Sequence, residues 1–233
     1  MMRLDKFLVS MEIGSRSQVK DFVKKGWITV NDQVPKSSDV KINEDVDVIT
    51  YKGEILRYQQ FTYYMLHKPQ GVVTATQDNH DKTVMDLLDP TIRKKDFFPV
   101  GRLDKDTEGL LLITNDGELA HKLLSPKKHV DKTYLVHLAE NISDEAIEKL
   151  MTGVDIGEDK PTLPAKAEKL DDRKITLTIH EGKFHQVKRM LKAVDNEVIY
   201  LKRLTFGALS LDESLEKGQY RILSDEEIQS LRE

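Results

Sequence analysis

The 233-residue chain is 39% hydrophobic and 33% charged, has a formal net charge of −4 and contains no cysteine. Such a composition can fill a core, and it excludes disulfides, thiolate metal sites and a chain too charged to fold. No apolar run approaches the roughly 20 residues that cross a bilayer, and the start, Met-Met-Arg-Leu-Asp-Lys, lacks the apolar core of a signal peptide, so a cytoplasmic protein with no membrane partner is expected.

Charge is unevenly spread. Residues 1–36 hold 7 Lys/Arg against 4 Asp/Glu, and the remainder holds 29 against 36. A small basic head precedes a larger acidic body. In the head, Leu4, Phe7, Leu8 and Met11 recur at helical spacing up to Gly14. Ser15 and Gln18 form a capping box for a second helix, which buries Val19, Phe22 and Val23 and stops at Gly26. Short strands are predicted at Trp27–Val30 and near Val34 around an Asn31-Asp32 turn, with one or two more in 37–50. The segment 51–60, "YKGEILRYQQ", reads as a linker.

Beyond it, "FTYYMLHKP" and "GVVTAT" read as strands and "TVMDLLD" as a short helix stopped by Pro90. "FFPV" and "LLLIT" read as strands, and "NDGELAHKLLSP" as a helix capped near Asn115 or Asp116 and ended by Pro126. "KTYLVHL" is a predicted strand, "SDEAIEKLMTG" a helix between Ser143 and Gly153, and "KITLTIHEG" a strand with Ile175, Leu177 and Ile179 on one face. Residues 185–194 space Val187, Met190, Leu191 and Val194 as a helix, and Ser224 with Glu227 caps a last one. Strands and helices intermix without strict alternation, which predicts an α+β fold on a mixed sheet. There is no internal repeat.

The segment "PVGRLDKDTEGLLLITNDG" sets Asp104, Asp106 and Glu108 at alternate positions directly before a buried strand. Calcium would use such a loop. Asp104, Asp106, Glu108 and Gly109 fit the first half of an EF-hand, but its last position falls on Asn115 and an earlier ligand position on Leu112. A solvated turn and a catalytic acid remain as explanations. In "HEGKFHQVKRML", His185, Gln186, Lys188 and Arg189 gather donors at a helix start, where cations oppose the helix dipole and anions are favoured. In "DKTYLVHL", Tyr134 shares a strand face with Lys132 and Val136.

These three segments, in this order and at these separations, resemble the motifs of pseudouridine synthases, most nearly the group that modifies small-subunit (16S) ribosomal RNA. The stretch "RLDKFLVSMEIGSRSQVKDFVKKGWITVNDQ" resembles the alpha-L RNA-binding domain. The resemblance implies an alpha-L RNA-binding domain over residues 1–57. It implies a catalytic domain over 61–233, with a mixed, mostly antiparallel sheet and a central cleft. The implied activity is cofactor-free, metal-free isomerisation of a uridine in ribosomal RNA by a monomer. Asp104 would be the catalytic aspartate, Tyr134 the residue packed on the target base, and Lys188 the cation paired with the aspartate. Arg102, His185, Gln186 and Arg189 would contact RNA around the cleft. Arg3, Arg16, Lys20, Lys24 and Lys25 would contact phosphates from the head, an interaction weakened by salt. A large-subunit RNA target, or a catalytically idle assembly factor on the same fold, stays open on the sequence alone.

Overall fold

The computed structural model describes every residue except 12, 45, 57–60, 94 and 95, together with the side chains of 91, 93 and 127. The chain divides into two compact units, Met1–Gln60 and Phe61–Glu233.

The first unit contains β1 (Met2–Arg3), α1 (Leu4–Ser10), α2 (Arg16–Lys24), β2 (Ile28–Val30), β3 (Lys41–Ile42), β4 (Ile49–Tyr51) and β5 (Glu54–Leu56). The Ser15–Gln18 capping box forms as the sequence predicts. The helices pack Leu4, Phe7, Leu8, Val19 and Val23 onto Ile28, Ile42 and Ile49. Two expectations are corrected. Asn31 and Asp32 do make a turn, both at positive φ, but the chain beyond it makes a single bridge at Gln33 in place of a strand. The partner of β2 is β4, which pairs in turn with β5. Residues 51–56 are therefore sheet, closed by the Lys52-Gly53 turn, and not linker; the rest of the expected linker, 57–60, lies outside the described residues.

The second unit runs β6 (Tyr63–Lys68), α3 (Pro90–Arg93), β7 (Phe98–Val100), β8 (Glu108–Thr114), α4 (Gly117–Leu124), β9 (Lys132–Leu138), α5 (Asp144–Thr152), β10 (Lys166–Asp171), β11 (Lys174–Ile179), α6 (Gln186–Lys192), β12 (Val198–Phe206), β13 (Leu209–Ser210), β14 (Tyr220–Ile222) and α7 (Asp225–Arg232). Its sheet has the order β10-β11-β9-β12-β8-β6-β14, with β7 beside β8 and β13 beside β12. Among the described residues, every strand pairing within this sheet is antiparallel except β12 with β8. The fold is thus α+β on a mixed sheet.

Strand β8 explains the run "LLLI". Leu111 and Ile113 enter one core, and Leu110 and Leu112 enter another on the opposite face. A strand covered on both faces reads as a continuous apolar run, and each such side chain contributes about 1.5–3 kcal/mol on burial. The parallel seam with β12 is unusually close. A Cβ on Gly109, at φ +112°, would lie 2.2 Å from the Arg203 carbonyl oxygen and 2.5 Å from its nitrogen. Only glycine fits there.

"GVVTAT" does not form a strand. Val73 makes one bridge to Thr83, and the segment serves the loop beside it. "TVMDLLD" makes a 3₁₀ turn, Val84–Leu87. Pro90 opens α3 where a stop was predicted, as suits a residue whose missing N–H goes unused in a first helical turn. Strands β10, β12 and β14 had no counterpart in the sequence reading.

Candidate active site

The three carboxylates go two ways. The backbone of the loop that carries them turns inward onto Lys68 at the end of β6. This lysine is fully buried. Its Nζ donates to the carbonyls of Asp104 (2.9 Å), Thr107 (2.9 Å) and Pro69 (3.1 Å) and reaches that of Lys105 at 3.4 Å. Gln70 donates to the Asp106 carbonyl, Gly71 N–H to the Lys105 carbonyl, and the Thr74 hydroxyl both donates to and accepts from the backbone of Leu103. One lysine and a neighbouring segment therefore satisfy most of the loop's carbonyls. With the backbone tied inward, the side chains of Asp104 and Asp106 are left to face outward.

Both meet Lys188, in the first turn of α6. Its Nζ lies 3.0 Å from Asp104 Oδ2 and 2.6 Å from Asp106 Oδ1, and His185 Nε2 lies 3.4 Å from Asp104 Oδ1. Burial works against the charge on Lys188, but the two carboxylates outweigh it and raise its pKa. For Asp106 burial pushes upward, and the Lys188 ammonium wins and holds it below the usual carboxylate value. The basic first turn of α6 is thus matched by two acids brought from about 80 positions earlier in the chain. Glu108, by contrast, is part of β8. It is buried, takes hydrogen bonds from Tyr200 and Lys217 at 2.8 Å each, and belongs to neither a solvated turn nor a metal loop. Among the described residues no group of acids and histidines is arranged to hold a metal.

Asp104 and Lys188 stand on the wall of a cavity of about 870 Å³ that also takes in Arg102, Tyr134, His185, Leu201 and Arg203. Tyr134 is only 7% exposed and lies directly across from Arg203 in the β9–β12 ladder. Arg102 is exposed at the loop. Before α6, Phe184 is 74% exposed and its ring stacks on His185 with centroids 3.8 Å apart. His185 itself occupies the left-handed region, φ +48°.

Two of the side chains expected to contact RNA also make hydrogen bonds within the protein. Arg189 donates to Glu158, to the Phe184 carbonyl and to the Ile156 carbonyl, so its guanidinium ties α6 to the loop at 156–158. Gln186 is buried. It donates to Glu181 and accepts from the Lys183 N–H, each at 2.9 Å, which shapes the turn into α6. In the first unit, Arg16, Lys20, Lys24 and Lys25 are exposed on and after α2, and Lys25 Nζ lies 4.9 Å from the Trp27 ring centre. Arg3 is held on Asp5 by two hydrogen bonds, at 3.0 and 2.7 Å. Sequence reasoning missed Lys68 and Arg203. A lysine closing an otherwise buried strand before proline, in "YYMLHKP", was the available signal for the first.

The RNA pseudouridylate synthase family profile matches residues 62–193, the segment that supplies Lys68, Asp104, Tyr134 and Lys188. The chain belongs to the RNA pseudouridylate synthase family. An S4 domain profile matches residues 2–48 of the same chain. The synthase is 52% identical to a Bacillus subtilis protein named as an uncharacterized RNA pseudouridine synthase, over all of this chain and 99% of the relative. It is 46% identical to the ribosomal small subunit pseudouridine synthase A of Vibrio vulnificus, over 99% of each chain. The crystal structure of a pseudouridylate synthase, 40% identical, superposes with a TM-score of 0.71 and covers 99% of this synthase and all of that chain.

Proposed function

We propose that this synthase converts a uridine of small-subunit ribosomal RNA to pseudouridine in the cytoplasm, acting as a monomer without a cofactor. Residues 1–57 serve as the RNA-binding domain and 61–233 as the catalytic domain. The observation that carries the reading is the Asp104–Lys188 pair at 3.0 Å on the wall of a cavity large enough for a nucleotide, with Tyr134 on the same cavity. The small-subunit target is supported by full-length likeness to the Vibrio vulnificus enzyme.

The chemistry accounts for each group. Breaking the bond from uracil N1 to C1′ builds positive, oxocarbenium-like character on the sugar. Asp104, paired with Lys188 at 3.0 Å, stabilises that charge, attacks C1′ or removes the C2′ proton. The target base leaves its stack at a cost of a few kcal/mol, and Tyr134 offers a flat face worth about 1–3 kcal/mol in return. Holding the detached ring in place contributes more than acid strength does. Arg102 at the rim and His185 beside Asp104 contact the nucleotide. Arg16, Lys20, Lys24 and Lys25 contact phosphates. Arg189 and Gln186 shape the cleft from behind, and Arg3 reaches RNA only by giving up Asp5.

Release of tritium from C5-labelled uridine tests the proposal. Small-subunit RNA, free or in an assembling particle, is expected to release it, and large-subunit RNA is not. Release from large-subunit RNA alone would reassign the substrate. Lys188→Met is expected to slow single-turnover conversion by about 10²-fold with RNA affinity unchanged, and Lys188→Arg to restore most of the rate. A full-rate methionine variant would end the charge-pair role.

A further inference from the structure

The buried arginine across from Tyr134 carries a charge that no described group neutralises. Arg203 is 2% exposed and shares the Tyr134 face of the sheet. Its Nε donates to the Leu110 carbonyl at 2.8 Å, its Nη2 has no hydrogen-bond partner, and no carboxylate among the described residues pairs with it. Burial draws its pKa below the usual arginine value, against the Tyr134 hydroxyl, which favours the charged form. Lys132, two positions before Tyr134 on that face, rests on the Val130 carbonyl at 2.6 Å and is pulled down to about 8 by burial and by Arg203, against the attraction of Asp131. Asp104 and Asp106 meanwhile share Lys188. Beside Tyr134, Arg203 therefore stands without a paired carboxylate of its own. A buried guanidinium with a spare donor and no counter-ion is costly until an anion meets it.

The reaction generates one. When the N1–C1′ bond breaks, its electron pair leaves with the ring, and negative charge spreads from N1 onto O2 and O4 of the detached uracil. The ring turns and C5 returns an electron pair to C1′. The C5 proton then departs and N1 takes one up, so the product is an isomer of the substrate. We propose that Arg203 is a catalytic residue that stabilises the detached uracil anion by donating from its guanidinium to the ring. Its place in the ladder beside Tyr134 puts it next to the surface on which the base stacks. The lack of a carboxylate keeps its charge available to the departing ring, where a preorganised donor in a dry site has most effect. This inference rests on the assignment of Asp104 and Tyr134 to the sugar and the base.

Fluorine at C5 withdraws electrons and makes the ring a better leaving group, which gives a direct test. Full-length Arg203→Gln and Arg203→Lys would be compared with the parent on RNA carrying uridine or 5-fluorouridine at the target, following loss of the starting nucleoside in a single turnover. Arg203→Gln is expected to lose about 10²-fold on uridine and less than about tenfold on 5-fluorouridine, with RNA affinity unchanged. Arg203→Lys, which keeps the charge and decides the matter if the glutamine variant does not fold, should show the same narrowing at a smaller loss. Equal losses on both nucleosides overturn the proposal. So does weaker RNA binding at an unchanged rate, the mark of a phosphate contact. An active Asp104→Asn control would instead bring down the site assignment itself. An inactive control beside full-rate Arg203 variants removes only this inference.

Discussion

Asp104→Asn is expected to reduce single-turnover pseudouridine formation on the order of 10⁴-fold, the scale seen when a covalent or charge-bearing catalytic group is removed. Asparagine keeps the shape but can neither attack C1′ nor balance a cationic sugar. The fold should survive, because Lys188 retains Asp106 at 2.6 Å and the loop backbone stays on Lys68. RNA affinity should therefore match the parent in a filter-binding titration while conversion disappears. A variant with a tenth of the parental rate would take Asp104 out of the chemistry.

Lys68→Met is expected to damage both stability and rate, although Lys68 has no assigned contact with the substrate. Its ammonium serves the carbonyls of Pro69, Asp104 and Thr107. An unmet buried acceptor costs about 1–3 kcal/mol; the Asp104 carbonyl keeps the Thr107 N–H at 3.1 Å, so the other two imply a loss of at least about 2 kcal/mol. For a unit of this size that lowers Tm by about 4–8 °C. A displacement of the loop by about 1 Å would cost about 10²-fold in rate. Thermal melts and single-turnover kinetics on the full chain check both. A variant that melts within about 2 °C of the parent, a shift of under about 1 kcal/mol, would show that the cage does not bear on the loop.

The same lysine gives a pH signature with a definite sign. Burial pulls it down to about 8, against the attraction of Asp106, Asp104 and Glu108, from the ordinary 10.5. Between those values the unfolded chain holds the proton and the folded one has shed it. The contribution of Lys68 to stability therefore rises with pH across that window. The loop, however, loses the ammonium that gathers its carbonyls. Activity should fall above about pH 8 with no matching loss of stability, and Lys68→Met should lack that alkaline limb.

How legible each feature was depends on where its cause lies. The Ser15–Gln18, Ser143 and Ser224–Glu227 caps are local, so α2, α5 and α7 formed as expected. Tyr134, Asp104 and Lys188 were picked out by motif order, and the structure brings all three to one cavity. The features that escaped depend on partners distant in sequence. "VIYLKRLTF" alternates, yet nothing nearby says that it lies between β9 and β8 at the middle of the sheet. Glu108 looked like its neighbours Asp104 and Asp106 until Tyr200 and Lys217 claimed it. Nothing near Arg189 in the sequence says that it meets Glu158. Spacing shows that a charge exists; only tertiary pairing shows whether it is free.

The missing side chain at residue 109 has a mechanical result. Because main chain touches main chain at that point, the span from the carboxylate-bearing loop to the tyrosine-facing wall is gauged by two peptide backbones, with no rotamer in between to relax. Swapping residues on either side to admit a different nucleobase would alter the jaws and leave their separation untouched. Any substitution at the seam itself would shift acid and platform apart together.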